Sequence, residues 1–381
     1  MKKLLAVILV SIMILGLGAC GTPEETSSSP DASPAASSPE SSSSSSPDVS
    51  AKGMLIGVGM PTQSLQRWNE DGANMKAQLE AKGYKVDLQY ANNDVNTQVS
   101  QLENMILKGC KILVIAAIDG SALTNVLNNA HNAGIKVIAY DRLIMNSPYV
   151  DYYATFDNFK VGVVQGKYIE KNLGLKDGKG PFNIELFAGS PNDNNANYFY
   201  KGAMSILDQY INNGKLVVSS GQKDFAKIAI QDWDSAKAQA RMDNLITANY
   251  AGGKKLDAVL SPNDSLAIGI VASLKNAGYG TDSKPYPILT GQDCDKPNVK
   301  AMINKQQSMS IFKDTRTLAT KVVEMVDAIL TGKEAPVNDI KTYNNGSKVV
   351  PSFLCDPVFA DASNYKQILI DSGYYKESDL K

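Results

Sequence analysis

Residues 111–142 read KILVIAAIDGSALTNVLNNAHNAGIKVIAYDR, and this stretch decides the architecture. An apolar run at 112–118 is followed by a segment, 121–133, whose apolar residues recur at helical spacing. Ala133-Gly134 closes that segment as a C-cap, and a second apolar run follows at 136–140. Two strands separated by a single helix need a crossover, which makes them parallel neighbours in one sheet. The same unit extends upstream. Strands are expected at 54–60 and 85–90, with helices at 66–82 and 97–109 that end on Lys82-Gly83 and Lys108-Gly109. The result is a doubly wound α/β unit.

The rhythm restarts after Asn158. Strands are expected at 182–187, 215–219, 256–260, 286–290 and 309–312, alternating with helices near 160–173, 196–212, 235–249, 264–277 and 296–304. Two α/β lobes of similar design therefore follow one another. A helix at 315–330 and a strand near 348–354 come last, and periodicity alone leaves open which lobe they join.

The N-terminus carries a different message. Lys2 and Lys3 precede an apolar run from Leu4 to Leu17, too short to span a bilayer comfortably, and Leu17-Gly18-Ala19-Cys20 matches a bacterial lipobox. Residues 1–20 are thus expected to be a lipoprotein signal peptide, with Cys20 the lipidated residue. Residues 21–52 are rich in Ser and Pro and nearly devoid of large apolar side chains, the composition of a disordered tether. As a flexible coil of about 30 residues it would span on the order of 30 Å. These features predict anchoring on the extracytoplasmic face of the cell membrane.

Composition excludes several classes. With 38 Lys and Arg against 39 Asp and Glu, the chain has a net charge of −1 and no basic run, so nucleic acid is not an expected partner. Cys110, Cys294 and Cys355 are widely separated and form neither a disulfide framework nor a metal-ligand spacing. No phosphate loop, nucleophile elbow or dinucleotide fingerprint follows a strand, and no cofactor is implied. The run 192–195 has one acid, Asp193, and lacks the later Glu of a calcium loop.

In open parallel sheets, ligands gather beyond the carboxyl ends of the strands. Those ends here carry Ser64, Arg67 and Trp68; Asp119; Asp141 and Arg142; Asn192 to Asn197; Asn263 and Asp264; Asp293; and Lys313. Trp233 stands just before a helix. A sugar hydroxyl both donates and accepts, and Asp, Asn, Arg and Lys supply every complementary partner. Trp68 and Trp233, the only tryptophans, offer flat faces for the apolar side of a sugar ring. The bland alternative is that Asp and Asn after strands are helix caps, an objection strongest for Asp119 and Asp264. The coincidence of so many polar residues on one edge favours a ligand site. A glycosidase would need paired carboxylates such as Asp141 with Asp264 or Asp293. Arg142 and Lys313 nearby favour ionised carboxylates and leave no proton donor, so an enzyme is not expected.

From about Met54 to Lys381 the chain resembles the sugar-binding members of the type I periplasmic binding proteins, especially multiple-sugar-binding receptors. Residues 139–144 (AYDRLI), 153–158 (YATFDN), 180–186 (GPFNIEL), 239–244 (QARMDN) and 311–316 (IFKDTR) carry the likeness. The resemblance implies two doubly wound parallel-sheet lobes joined by a three-segment hinge. The chain would cross near Asn158, near Lys313 and again between Tyr343 and Val349. Residues 53–158 with 314–345 would form one lobe, and 159–313 with 346–381 the other. It places ligand contacts on Arg67, Trp68, Asp141, Arg142, Asn197, Trp233, Asn263, Asp264, Asp293 and Lys313, with Asp119 as a further candidate. Gln292 stands where relatives often carry an aromatic. The implied role is a monomer that binds a monosaccharide and hands it to an ABC transporter permease. A receptor signalling to a chemosensor or sensor kinase is the alternative. Export and the lack of a DNA-binding headpiece exclude a repressor of related fold.

Overall fold

The computed structural model describes residues 52–380, so the signal segment, Cys20 and nearly all of the tether lie outside the described residues. The first lobe is built on β1 (Leu55–Met60), β2 (Lys85–Tyr90), β3 (Ile112–Ile115), β4 (Lys136–Tyr140) and β5 (Tyr152–Phe156), all parallel. Its helices are α1 (Gln66–Ala81), α2 (Val95–Leu107) and α3 (Thr124–Asn132). Side chains alternate across the sheet, as the two-residue period of a strand requires. Ile112, Val114, Ile138 and Tyr140 join one core layer, while Leu113, Ile115, Val137 and Ala139 join the other. Both layers are apolar because helices cover both faces.

The second lobe opens with α4 (Asn158–Leu173) and continues through β6 (Phe182–Leu186), α5 (Asn194–Asn212), β7 (Leu216–Val218) and α6 (Phe225–Ile228). Then come α7 (Ser235–Asn249), β8 (Ala258–Leu260), α8 (Asp264–Asn276), β9 (Ile288–Leu289), α9 (Lys296–Ile303) and β10 (Met309–Phe312). Its parallel sheet has the order β7-β6-β8-β9. The next helix, α10 (Thr315–Leu330), contributes Leu318, Val322 and Val326 to the first-lobe core beside Trp68 and Met75 of α1.

One expected boundary needs correction. Strand β11 (Ser352–Cys355) pairs in parallel with β5 at the edge of the first sheet, Ser352 opposite Tyr153 and Cys355 opposite Phe156. Residues 346–355 therefore run with the first lobe. The third crossing lies at 355–358, ahead of β12 (Val358–Asp361), which pairs antiparallel with β10. Segment 343–350 instead folds on itself and the first lobe: Val350 N–H donates to Tyr343 O, and Asn345 Nδ2 donates to the carbonyls of Ile144 and Ser147. Strands β5 and β12 were not foreseen as strands. Cys110, Cys294 and Cys355 are buried free thiols.

Small residues bring α4 and α5 into near backbone contact. A Cβ on Gly162 would stand 2.0 Å from the Phe199 carbonyl oxygen, and one on Gly202 would stand 2.1 Å from the Phe159 oxygen. Neither obstacle is a flexible side chain. Gly162→Ala is therefore expected to cost about 1–3 kcal/mol of stability, read as a lower urea midpoint with an unchanged m-value. An unchanged midpoint would show that the helices part freely.

Candidate ligand-binding site

The carboxyl ends of both sheets meet around one cavity with about 390 Å³ of non-atom space, part of it open to solvent. The first lobe contributes Arg67, Trp68, Asp141 and Arg142, and the second contributes Asp193, Asn195, Trp233, Asn263 and Asp293, with Lys313 at the crossing between them.

The centre is a charge lattice. Arg67 Nη1 stands 3.1 Å from Asp141 Oδ1 and 3.4 Å from Asp293 Oδ1. Lys313 Nζ lies 3.5 Å from Asp141 Oδ1 and 3.2 Å from Asp293 Oδ1. Two cations thus bracket two carboxylates that come from different lobes, and all four side chains are buried. Burial alone would raise the Asp141 carboxyl, but the charges of Arg67, Lys313 and Arg142 hold it below the usual carboxylate range. Burial works equally against the Arg67 charge; Asp141, Asp71 and Asp293 reverse that and hold the guanidinium protonated. A second pair crosses the lobes at Arg142 Nε and Asp193 Oδ2, 3.1 Å apart. Here burial prevails and the Asp193 carboxyl is raised.

The backbone at these positions is unusual. Asp141, Asp232, Trp233 and Asp293 have φ of 57°, 64°, 56° and 101°, in the region that disfavours side chains with a Cβ. The surroundings over-determine at least one of them. The Asp141 carbonyl accepts from Tyr153 Oη at 2.7 Å, Thr155 Oγ1 at 2.9 Å and Asn195 Nδ2 at 2.6 Å, while its N–H donates to Ala154 O. Asn195 belongs to the second lobe, so the turn that aims Asp141 is itself a cross-lobe contact.

The aromatic walls are held by packing. The Arg67 and Arg142 guanidiniums stand 4.3 and 5.0 Å from the Trp68 ring centre, within cation–π range. Trp233 meets Phe199 edge to face, and its carbonyl accepts from Ser265 Oγ, which in turn accepts from Asn263 Nδ2. Both indole N–H groups and Gln292 Oε1 are buried without a hydrogen-bond partner. Such groups are costly to leave unmet.

Three expected contacts lie elsewhere. Asn197 does not line the cavity; two residues along a helix turn about 200° around its axis, and Asn195 takes the inward face. Asp119 is half-exposed and accepts from Ser121 N–H in a local turn. Asp264 is fully buried behind the wall, accepting from Gln307 Nε2, Ser310 Oγ and Asp295 N–H. Burial and the neighbouring Asp293 charge push its carboxyl up. Asp193, Asn195, Phe199, Ser265 and Asp295 line the cavity without having been among the expected contacts, and Gln292, singled out in the sequence, lines it as well. Asp193 and Asn195 do fall within the polar run after β6 that the sequence marks.

The periplasmic binding protein domain matches residues 56–334. The chain belongs to that family. This binding protein is 59% identical over 326 residues to the multiple sugar-binding periplasmic receptor ChvE of Rhizobium radiobacter, covering 86% of this chain and 92% of that one. It is 37% identical over 330 residues to the D-xylose-binding periplasmic protein of Escherichia coli, covering 87% and 93%. A crystal structure of an ABC transporter solute binding protein from Clostridium phytofermentans with bound β-D-glucose superposes with a TM-score of 0.84 at 61% identity, covering 86% and 100%.

Gly189 sets the position of one wall, since a Cβ there would come within 1.9 Å of the Trp233 ring. In a Trp68→Phe background Trp233 is the sole tryptophan, and adding Gly189→Ala is expected to shift its emission to the red as the ring is displaced. An unmoved emission maximum would mean that Gly189 does not set the ring's place.

Proposed function

We propose that this chain is an extracytoplasmic solute-binding lipoprotein that takes a monosaccharide, an aldopentose or aldohexose, between its lobes and delivers it to an ABC importer. The observation that carries the reading is the Asp141–Arg67–Asp293–Lys313 lattice between two tryptophan walls in one cavity. It presents charged donors and acceptors side by side in a cavity that Trp68 and Trp233 also line. The relatives named for multiple sugars and D-xylose, and the neighbour with glucose, support the same class.

Ligand contacts supplied by both lobes stabilise the closed arrangement, because an open one offers each carboxylate only half of its partners. Closure about the crossings near 157, 313 and 356 then becomes the signal that the importer reads. Export rests on the N-terminal signal pattern and on the periplasmic naming of the relatives, and anchoring through Cys20 on the lipobox alone. A second reading, a receptor whose closed form signals to a chemosensor or sensor kinase, draws on the relative named a receptor.

Thermal shift with common aldopentoses, aldohexoses, a disaccharide and amino acids tests the class. A sugar at a thousand times its dissociation constant is expected to add about 4 kcal/mol of stability. Asp141→Asn and Asp293→Asn, which keep a residue that tolerates positive φ, are expected to weaken binding about tenfold or more. A shift only with amino acids would point to another cargo.

A further inference from the structure

Asp71 has no place on the cavity wall, yet it is the most completely buried carboxylate attached to the charge lattice. It lies one turn after Arg67 on α1, on the same helical face. Its Oδ2 accepts from Arg67 Nε at 3.0 Å and Nη2 at 2.8 Å, and its Oδ1 accepts from the Tyr140 hydroxyl. Tyr140 ends β4 directly before Asp141. Two of the three guanidinium nitrogens are thereby tied to the first-lobe core, and the third, Nη1, is left to face Asp141 and Asp293.

We propose that Asp71 is a positioning residue for ligand binding: with Tyr140 it fixes the Arg67 guanidinium so that Nη1 points into the cavity beside Asp141. Because every atom involved belongs to α1 or β4, the arrangement exists in the first lobe alone, ahead of any closure. A guanidinium already held in place loses less rotamer freedom when a ligand arrives. The inference rests on the sugar-binding reading.

The anchor depends on charge, since only an ionised carboxylate accepts from both Arg67 and Tyr140. Facing Asp71 are Arg67 from its own helix, Tyr140 at the end of β4, Asp141 just after it, and Tyr90 from β2. Burial raises the Asp71 carboxyl to about 6, with the Arg67 charge opposing and Asp141 adding to the rise. Above pH 6 the anchor is ionised; below it the anchor takes up a proton and its hold on Arg67 weakens.

The test is Asp71→Asn, which keeps shape and hydrogen bonding to Tyr140 but removes the charge, with dissociation constants for D-glucose and D-xylose measured calorimetrically from pH 5 to 8. Chemical denaturation at each pH shows whether both proteins are folded. The unmodified protein should lose affinity as pH falls through about 6. The variant should bind at least about tenfold more weakly at pH 7.5, the factor that losing hydrogen bonds to a charged group corresponds to, and lack that acid loss. A variant that binds like the unmodified protein overturns the proposal. So does one that is weaker by a constant factor with the acid loss intact, because Asp193 or Asp295 would then be its source. If the unmodified protein binds neither these sugars nor any other monosaccharide, the sugar reading itself fails and takes this inference with it.

Discussion

Everything at the centre of this molecule follows from the burial of two cations and two carboxylates between two lobes. Arg67, Lys313, Asp141 and Asp293 are each less than a tenth exposed. A buried charge without partners costs several kcal/mol, so each depends on the others. Because Asp141 belongs to one lobe and Asp293 to the other, that dependence spans the cleft. A ligand that offers hydroxyls to the same atoms takes a share in a network that is strong when satisfied and costly when broken. The fold need only bring strand ends of two sheets face to face, and three chain crossings do so.

The backbone bears part of this burden. Left-handed residues at Asp141 and Asp293 turn the chain sharply at the ends of their strands and aim the carboxylates inward. Such conformations cost on the order of 1–3 kcal/mol and persist where surroundings enforce them. At Asp141 the enforcement is visible: three side-chain donors converge on one carbonyl, and one of them, Asn195, comes from the opposite lobe. At Asp293 the N–H donates to Ile311 O, tying the turn to β10 and hence to the crossing that carries Lys313. Site and hinge are thus joined by hydrogen bonds through a few residues.

Much of this was legible in the sequence, and the exceptions have physical causes. The strand–helix rhythm locates both sheets because each central strand is an apolar run followed by an amphipathic helix. Strand β5 escapes it because residues 141–151 cross between strands without a helix, and β12 because it begins three residues after β11. The first-lobe place of β11 is a pairing choice that four residues cannot announce. At the site, strand-end polarity finds Arg67, Asp141, Asp293 and Lys313 but cannot separate a cavity wall from the layer behind it. Asp264 therefore passes for a contact while it serves the packing of Gln307 and Ser310. Asn195 and Asn197 differ only in helical phase, which a run of asparagines conceals until the start of α5 is known. Left-handed φ at Asp141 and Asp293 was no more visible, since Asp is tolerated there without being diagnostic.

A crystal structure of the protein grown with D-glucose would bear most directly on the cross-lobe lattice. The expected result is a pyranose between Trp68 and Trp233, with hydroxyls within hydrogen-bond distance of Asp141, Asp293, Arg67 and Lys313. Sugar bound outside the cleft, or contacting one lobe alone, would contradict a site built on charges shared between the two.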